Sequence, residues 1–174
     1  MKKRIGMIAL LFVFLYVGIC QAAGSCVQTV ANYPDSGERH VIFTCTGAAD
    51  DGSIPNTATN AAVTGFITGY RLYQVDAYPT SGGTAPDAAS VFILDANSLD
   101  LLGSEDGSTT AYQGLNLIHA TLKRTTFPDA YIPRAGSHVF YHPYISGALT
   151  LKVIDQATHS ANYTVVLKLY NPKY

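Results

Sequence analysis

Cys26 and Cys45 stand either side of the run Tyr33-Pro34-Asp35-Ser36-Gly37-Glu38, whose proline, aspartate, serine and glycine are strong turn formers. A hairpin centred between Asp35 and Ser36 sets opposite one another residues whose numbers sum to 71, and Cys26 and Cys45 meet that condition. The two sulfurs then face each other across neighbouring strands, and paired cysteines in an exported chain favour a disulfide. Closing a loop of about twenty residues stabilises a fold by roughly 3 kcal/mol in the chain-entropy model. The alternative is two buried free thiols. No Cys-x-x-Cys or Cys/His spacing points to zinc.

The beginning of the chain argues for export. Met1-Lys2-Lys3-Arg4 is basic, Ile5 to Ile19 is almost wholly apolar, and Cys20-Gln21-Ala22-Ala23-Gly24 is small and weakly polar, which is the layout of a secretory signal peptide. The apolar run, about fifteen residues, is shorter than the roughly twenty that a membrane-spanning helix needs. The expected organisation is therefore a signal peptide over 1–22, cleaved after Ala22 or Ala23, and one domain over 23–174, exported to the periplasm or beyond, with no stable membrane insertion after cleavage. A retained anchor is one alternative. Lipidation at Cys20 is another, opposed by Ile19 where lipoprotein signals place a small residue.

Cleavage removes Lys2, Lys3 and Arg4, taking the 11 basic residues to eight against 12 acidic ones and the formal charge from −1 to about −4. A mildly acidic surface lacks the basic stripe that phosphate backbones require, so nucleic acid is not an expected partner. The remaining 150 or so residues suit one domain with a real core.

Most of the mature chain alternates with period two and almost none repeats with period 3.6, so the expected fold class is all-β. In Glu38 to Thr46, Val41, Phe43 and Cys45 share one face and His40, Ile42 and Thr44 the other. Ala48 to Thr64 reads as a long loop or a loop with one short strand. A strand from Ile67 alternates Tyr70, Leu72 and Gln74 against Arg71, Tyr73 and Val75. Leu115 to Leu122 reads as a strand without a clean inside face, or a short helix. Lys123 to Ser137, with Pro128, Pro133 and Gly136, reads as a loop. Leu149, Leu151 and Val153, and then Tyr163, Val165, Leu167 and Leu169, describe a closing hairpin turned by Asp155 to Asn162. Seven or eight strands in a single domain predict an antiparallel β-sandwich, in which two sheets bury each other's apolar faces.

Chemistry-bearing patterns are sparse. In a strand His138 and His142 lie about 13 Å apart, too far to share an ion, and Pro143 opposes a helix. Asp95-Ala96-Asn97-Ser98-Leu99-Asp100 begins like a calcium loop but has Leu99 where a third ligand belongs and Asp100 where glycine is needed. Asp50-Asp51 and Glu105-Asp106 read as solvated turns. No nucleophile elbow or phosphate loop is present, and no catalytic residue, metal or cofactor is assigned. Tyrosine and phenylalanine must supply the aromatic bulk of a chain without tryptophan, so most tyrosines are expected in the core or on sheet faces. Tyr112, Tyr131, Tyr141 and Tyr144 are candidates for stacking on a sugar or anchoring an interface.

Two strand-like runs, Ile67 to Val75 and Ala89 to Asp95, flank Ser81-Gly82-Gly83-Thr84-Ala85-Pro86-Asp87, and Asp100-Leu101-Leu102-Gly103, Gly147 to Val153 and Tyr163 to Tyr170 follow. Over about two-thirds of the mature chain this order resembles the small β-rich structural proteins of tailed-phage particles, which run strand, "G-T-A-P" loop, strand, "D-x-D-L-L-G" turn and then a closing "L-T-L-x-V" hairpin. The resemblance implies structural roles for Gly82, Gly83, Pro86, Asp95, Asp100 and Gly103, as positive dihedrals, fixed turns and capped strand ends. It implies a non-enzymatic capsid decoration or tail-associated protein acting through multivalent protein contacts, with capsid or tail proteins, or the chain itself, as partners. Phage heads assemble in the cytoplasm, whereas this chain is addressed out of it. Joining particles after lysis, acting at the host envelope, or service as a secreted module would each reconcile the two. The alternative function is a secreted binding or adhesion module that takes a glycan or cell-surface ligand through loops Ala48 to Thr64 and Lys123 to Ser137.

Overall fold

A computed structural model describes residues 23–102, 115–128, 130–134 and 137–173. The expectations for the signal peptide over 1–22, Cys20, Gly103, Glu105-Asp106 and Tyr112 lie outside these residues. Strands β1 (Ser25–Tyr33) and β2 (Glu38–Thr46) form a hairpin in which every pair sums to 71, from Ser25 opposite Thr46 to Tyr33 opposite Glu38. There follow β3 (Thr57–Ala58), helix α1 (Ala61–Ile67), β4 (Arg71–Pro79), β5 (Ala89–Leu94), β6 (Leu115–Ile118), β7 (Arg124–Thr126), β8 (Ala130–Arg134), β9 (Ser137–Tyr141), β10 (Thr150–Ile154) and β11 (Asn162–Tyr170).

The strands form a five-stranded sheet in the order β1-β2-β11-β4-β7, a four-stranded sheet β3-β10-β5-β6, and a separate β8-β9 hairpin. The fold is the all-β antiparallel sandwich that the alternation predicts, with nine strands in its two sheets among the described residues where seven or eight were expected. Val41, Phe43 and Cys45 of β2, Tyr163, Val165, Leu167 and Leu169 of β11, and Leu72, Val75 and Ala77 of β4 line the inner face of the larger sheet. Val91 and Ile93 of β5 and Leu151 of β10 meet them from the smaller one.

Four local expectations are corrected. The final two runs are strands but do not form a hairpin: β10 lies in the small sheet, and β11 lies in the large one between β2 and β4. β11 is nine residues long and buries Thr164 and Val166 as well as its core row, so it suits a central place between two strands of equal length. Five-residue β10 would leave half of its backbone without partners.

The second correction is α1, which occupies residues read as the end of a loop and the start of a strand. Asn60 caps it by accepting a hydrogen bond from Val63 N at 3.0 Å, and Val63 and Ile67, one turn apart, are its buried residues. Third, the register between β4 and β11 shifts at Lys168/Leu169, a bulge that puts Tyr73 and Gln74 together on the outer face and breaks the alternation expected through Tyr70, Leu72 and Gln74. Fourth, Lys123 to Ser137 holds β7 and β8, although proline and glycine mark it as loop.

Candidate functional site

The outer face of the five-stranded sheet carries an ordered polar network. Cross-strand register sets Thr29, Ile42, Val166, Asp76 and Thr125 in one row and Ala31, His40, Lys168 and Gln74 in the next. Asp76, flanked along β4 by the core residues Val75 and Ala77, points the opposite way, yet it is only 1% exposed. Its carboxylate accepts hydrogen bonds from Gln74 Nε2 and Thr125 Oγ1, each at 2.7 Å, and its Oδ2 lies 2.8 Å from Lys123 Nζ and 3.0 Å from Lys168 Nζ. Burial alone would raise this carboxyl. The donors on Lys123, Thr125, Gln74 and Lys168 outweigh burial and hold it well below the ordinary carboxylate range.

A second cluster lies at the other end of the same face. Tyr73 donates its hydroxyl to Glu38 Oε1 at 3.0 Å and packs edge-on against Tyr170, with ring centroids 5.8 Å apart. His142 stands edge-on to Tyr170, also at 5.8 Å, and Arg71 Nη1 donates to the His142 carbonyl at 2.9 Å, tying the segment after β9 to β4. Burial and then the bond to Glu38 push the Tyr73 hydroxyl up to about 12. His40 packs against Tyr33 with centroids 4.6 Å apart; burial first, and Lys168 second, lower its pKa and keep it neutral at neutral pH.

This arrangement clamps strands. A general base works best with a pKa near the operating pH. Asp76 is ionised far below that, with both oxygens engaged, and Tyr73 stays protonated far above it. The network joins β4, β7 and β11 with charge-assisted bonds whose partners come from three distant parts of the chain.

At one end of the sandwich three connections between the sheets pack together. Gly47 N donates to Ala161 O at 2.8 Å, Ser160 N to Ala48 O at 3.0 Å, and Asn162 N to Thr84 O at 2.8 Å. Asp87 accepts from Ala157 N at 3.2 Å while its own N–H donates to Gln156 Oε1 at 3.2 Å. Beside them is a cleft of about 370 Å³ lined by Gly24, Ala48, Asp50, Asp51, Ser53 and Ile54.

Cys26 and Cys45 form a disulfide, with sulfurs 2.02 Å apart. Gly82 has φ of +79°, a left-handed conformation suited to glycine. Gly83 does not; it is held by closeness to Asn162, whose Cβ would lie 2.7 Å from an added Cβ. Pro86 is buried within the loop end. Asp95 Oδ1 accepts from Asn97 N at 2.8 Å and Leu99 N at 2.9 Å, and Asp100 Oδ1 from Ile93 N at 3.1 Å and Leu102 N at 3.2 Å, so both cap turn backbone. These residues are spread over the loop end and the turn after β5, and the structure does not gather them into a site. Tyr144 is 56% exposed.

The sequence reading missed Asp76, Lys123, Lys168, Tyr73 and Glu38. An aspartate inside a strand is unusual enough to have marked Asp76, but its partners lie 47 and 92 positions away. Among the described residues, no three His, Cys, Asp or Glu side chains gather to hold a metal ion, and no helix is long and apolar enough to cross a membrane. Compared with protein-family models, curated proteins and solved structures, the chain matches none.

Proposed function

We propose that this chain is an exported, non-enzymatic structural protein that works through repeated protein–protein contacts, as do the decoration and tail-associated proteins of phage particles that its turn and strand motifs resemble. The observation that carries this reading is the surface of β1. That nine-residue edge strand contains no charged residue and exposes Val27, Val30 and Tyr33 by 64%, 44% and 46%. Exposed apolar side chains along an open sheet edge are the means by which one protein adds to another. Many copies, each held by a modest contact, gain by multivalency what one contact lacks. The disulfide supports export, since such a pair is rarely maintained in a reducing cytosol.

The test is a density gradient of a producing culture, with the chain followed by intact mass. Oxidised, signal-cleaved protein banding with particles is the expected result, and the same species confined to soluble or envelope fractions would overturn the virion role. The second reading, a secreted binding module for a glycan or surface protein, is favoured by the cleft beside Ala48 and Asp51. A rise in melting temperature with a glycan panel, lost on filling the cleft, would support it.

A further inference from the structure

We propose that β1 pairs antiparallel with β1 of a second copy about a two-fold axis at Thr29, joining two five-stranded sheets into one of ten strands. Among the described residues, β1 has β2 on one side in the sheet order and no strand on the other. Its register with β2 runs unbroken over nine pairs, without a bulge, and Ser25 to Tyr33 includes no charged residue, proline or glycine. Those are the devices that keep edge strands from pairing with other chains. The remaining strands that end the two main sheets are shorter: four residues in β6, three in β7 and two in β3.

The backbone phase supports the same geometry. Cys26 and Cys45 have Cα atoms 4.0 Å apart, the close approach of a non-hydrogen-bonded antiparallel pair. Cys26 therefore turns its N–H and C=O away from β2, and at period two Gln28, Val30 and Asn32 do the same. Centred on Thr29, self-pairing sets Cys26 opposite the second copy's Asn32 and Gln28 opposite its Val30. All four outward-turned residues then meet outward-turned residues, giving about eight new backbone hydrogen bonds over the two copies. A shift by one residue would face outward groups with inward ones.

Charge supports the antiparallel sense. The charged residues paired with β1 across the hairpin are Glu38 and Arg39 on β2, at the Tyr33 end. Two-fold pairing sets that end beside the second copy's Ser25 end, where β2 supplies the uncharged Thr44 and Thr46. Glu38 and Arg39 therefore do not meet their own counterparts, as they would in a parallel pairing. Val30, on the inner side of β1 yet 44% exposed, gains cover from the added strand.

The inference rests on the reading that the chain works through protein contacts, but its failure is distinguishable. A monomer in solution would overturn the dimer without bearing on particle association, and loss of particle association would leave the dimer standing. The experiment is sedimentation velocity on the signal-cleaved, oxidised protein, with Thr29→Lys, Thr29→Cys and Ala31→Cys variants. Thr29 and its equivalent form the pair on the axis, so Thr29→Cys is expected to give a disulfide-linked dimer, mapped by mass spectrometry, and Ala31→Cys is not. Thr29→Lys, which sets two ammonium groups face to face, is expected to give a monomer that keeps the wild-type β-sheet circular-dichroism spectrum and loses the concentration dependence of its melting, because Thr29 is exposed. A wild-type monomer at the highest soluble concentration, a dimer indifferent to Thr29→Lys, or equal cross-linking at positions 29 and 31 would each overturn the proposal.

Discussion

Lys168 on β11 reaches diagonally to Asp76 on β4, its Nζ 3.0 Å from Oδ2, while Lys123 meets the same oxygen from before β7 at 2.8 Å. The two lysines differ in how much of that attraction reaches stability. Lys168 is 21% exposed and Lys123 is 54% exposed. Replacing Asp76 by alanine leaves the half-buried Lys168 and Gln74 without this acceptor, while exposed Thr125 turns to water, an expected loss of about 1–3 kcal/mol. Lys123→Ala, which breaks a solvent-screened contact, is expected to cost under about 1 kcal/mol. Urea denaturation of the two variants at neutral pH checks the contrast.

The same carboxylate sets a pH dependence. Its pKa is depressed in the fold, so its contribution is fully present above the unfolded-state value near 4 and is lost as pH falls through the lower folded value. Denaturation midpoints are expected to fall steadily below about pH 4. An Asp76→Asn variant, starting lower, is expected to give a flatter curve over that range.

Tyr163 stands opposite Cys45 across the β2–β11 pair, fully buried, and its hydroxyl has no hydrogen-bond partner. A buried polar group without a partner costs about 1–3 kcal/mol. Tyr163→Phe keeps the ring and removes the group, so it is expected to raise stability by about 1 kcal/mol, read from the chemical denaturation midpoint.

The disulfide closes a span of 19 residues between two strands that already pair. Converting both cysteines to alanine is expected to cost about 3 kcal/mol with the β-sheet circular-dichroism spectrum retained, since the hairpin register is also held by β11 packing against β2. Equal stability of the oxidised wild type and the double variant would show that the link adds nothing to the pairing.

Two glycines with nearly the same dihedral separate strain from space. Gly52 (φ +75°) and Gly82 (φ +79°) both sit in the left-handed region, but a Cβ on Gly52 would lie 2.6 Å from the Thr158 carbonyl oxygen, and one on Gly82 meets nothing within 4 Å. Gly82→Ala is expected to cost about 1 kcal/mol from backbone strain. Gly52→Ala is expected to cost well beyond that, because backbone at the loop end must move. Parallel thermal melts of the two variants check the order.

Period-two alternation made the all-β class and the inner face of β2 legible, and the spacing of Cys26 and Cys45 about one turn gave the hairpin register. Helix α1 was hidden because seven residues hold one cap and two buried positions, too little for periodicity to register. The bulge at Tyr73 was hidden because it depends on the register with β11, more than ninety positions later. The outer-face network left a single trace, an aspartate in a strand, since its members are neighbours through three strand pairings and not through sequence.

What the sequence determined by itself are the properties that act within a few residues: the side each residue takes in a strand, the turn at Pro34 to Gly37, and hence the facing of Cys26 and Cys45. The tertiary structure decided which strands lie side by side. Backbone hydrogen bonding is blind to residue identity, so β11 could pair with any extended neighbour. Its burial on both faces and its length, matched by β2 and β4, placed it between them, and that placement brought Lys168 to Asp76 and left β1 at the open edge.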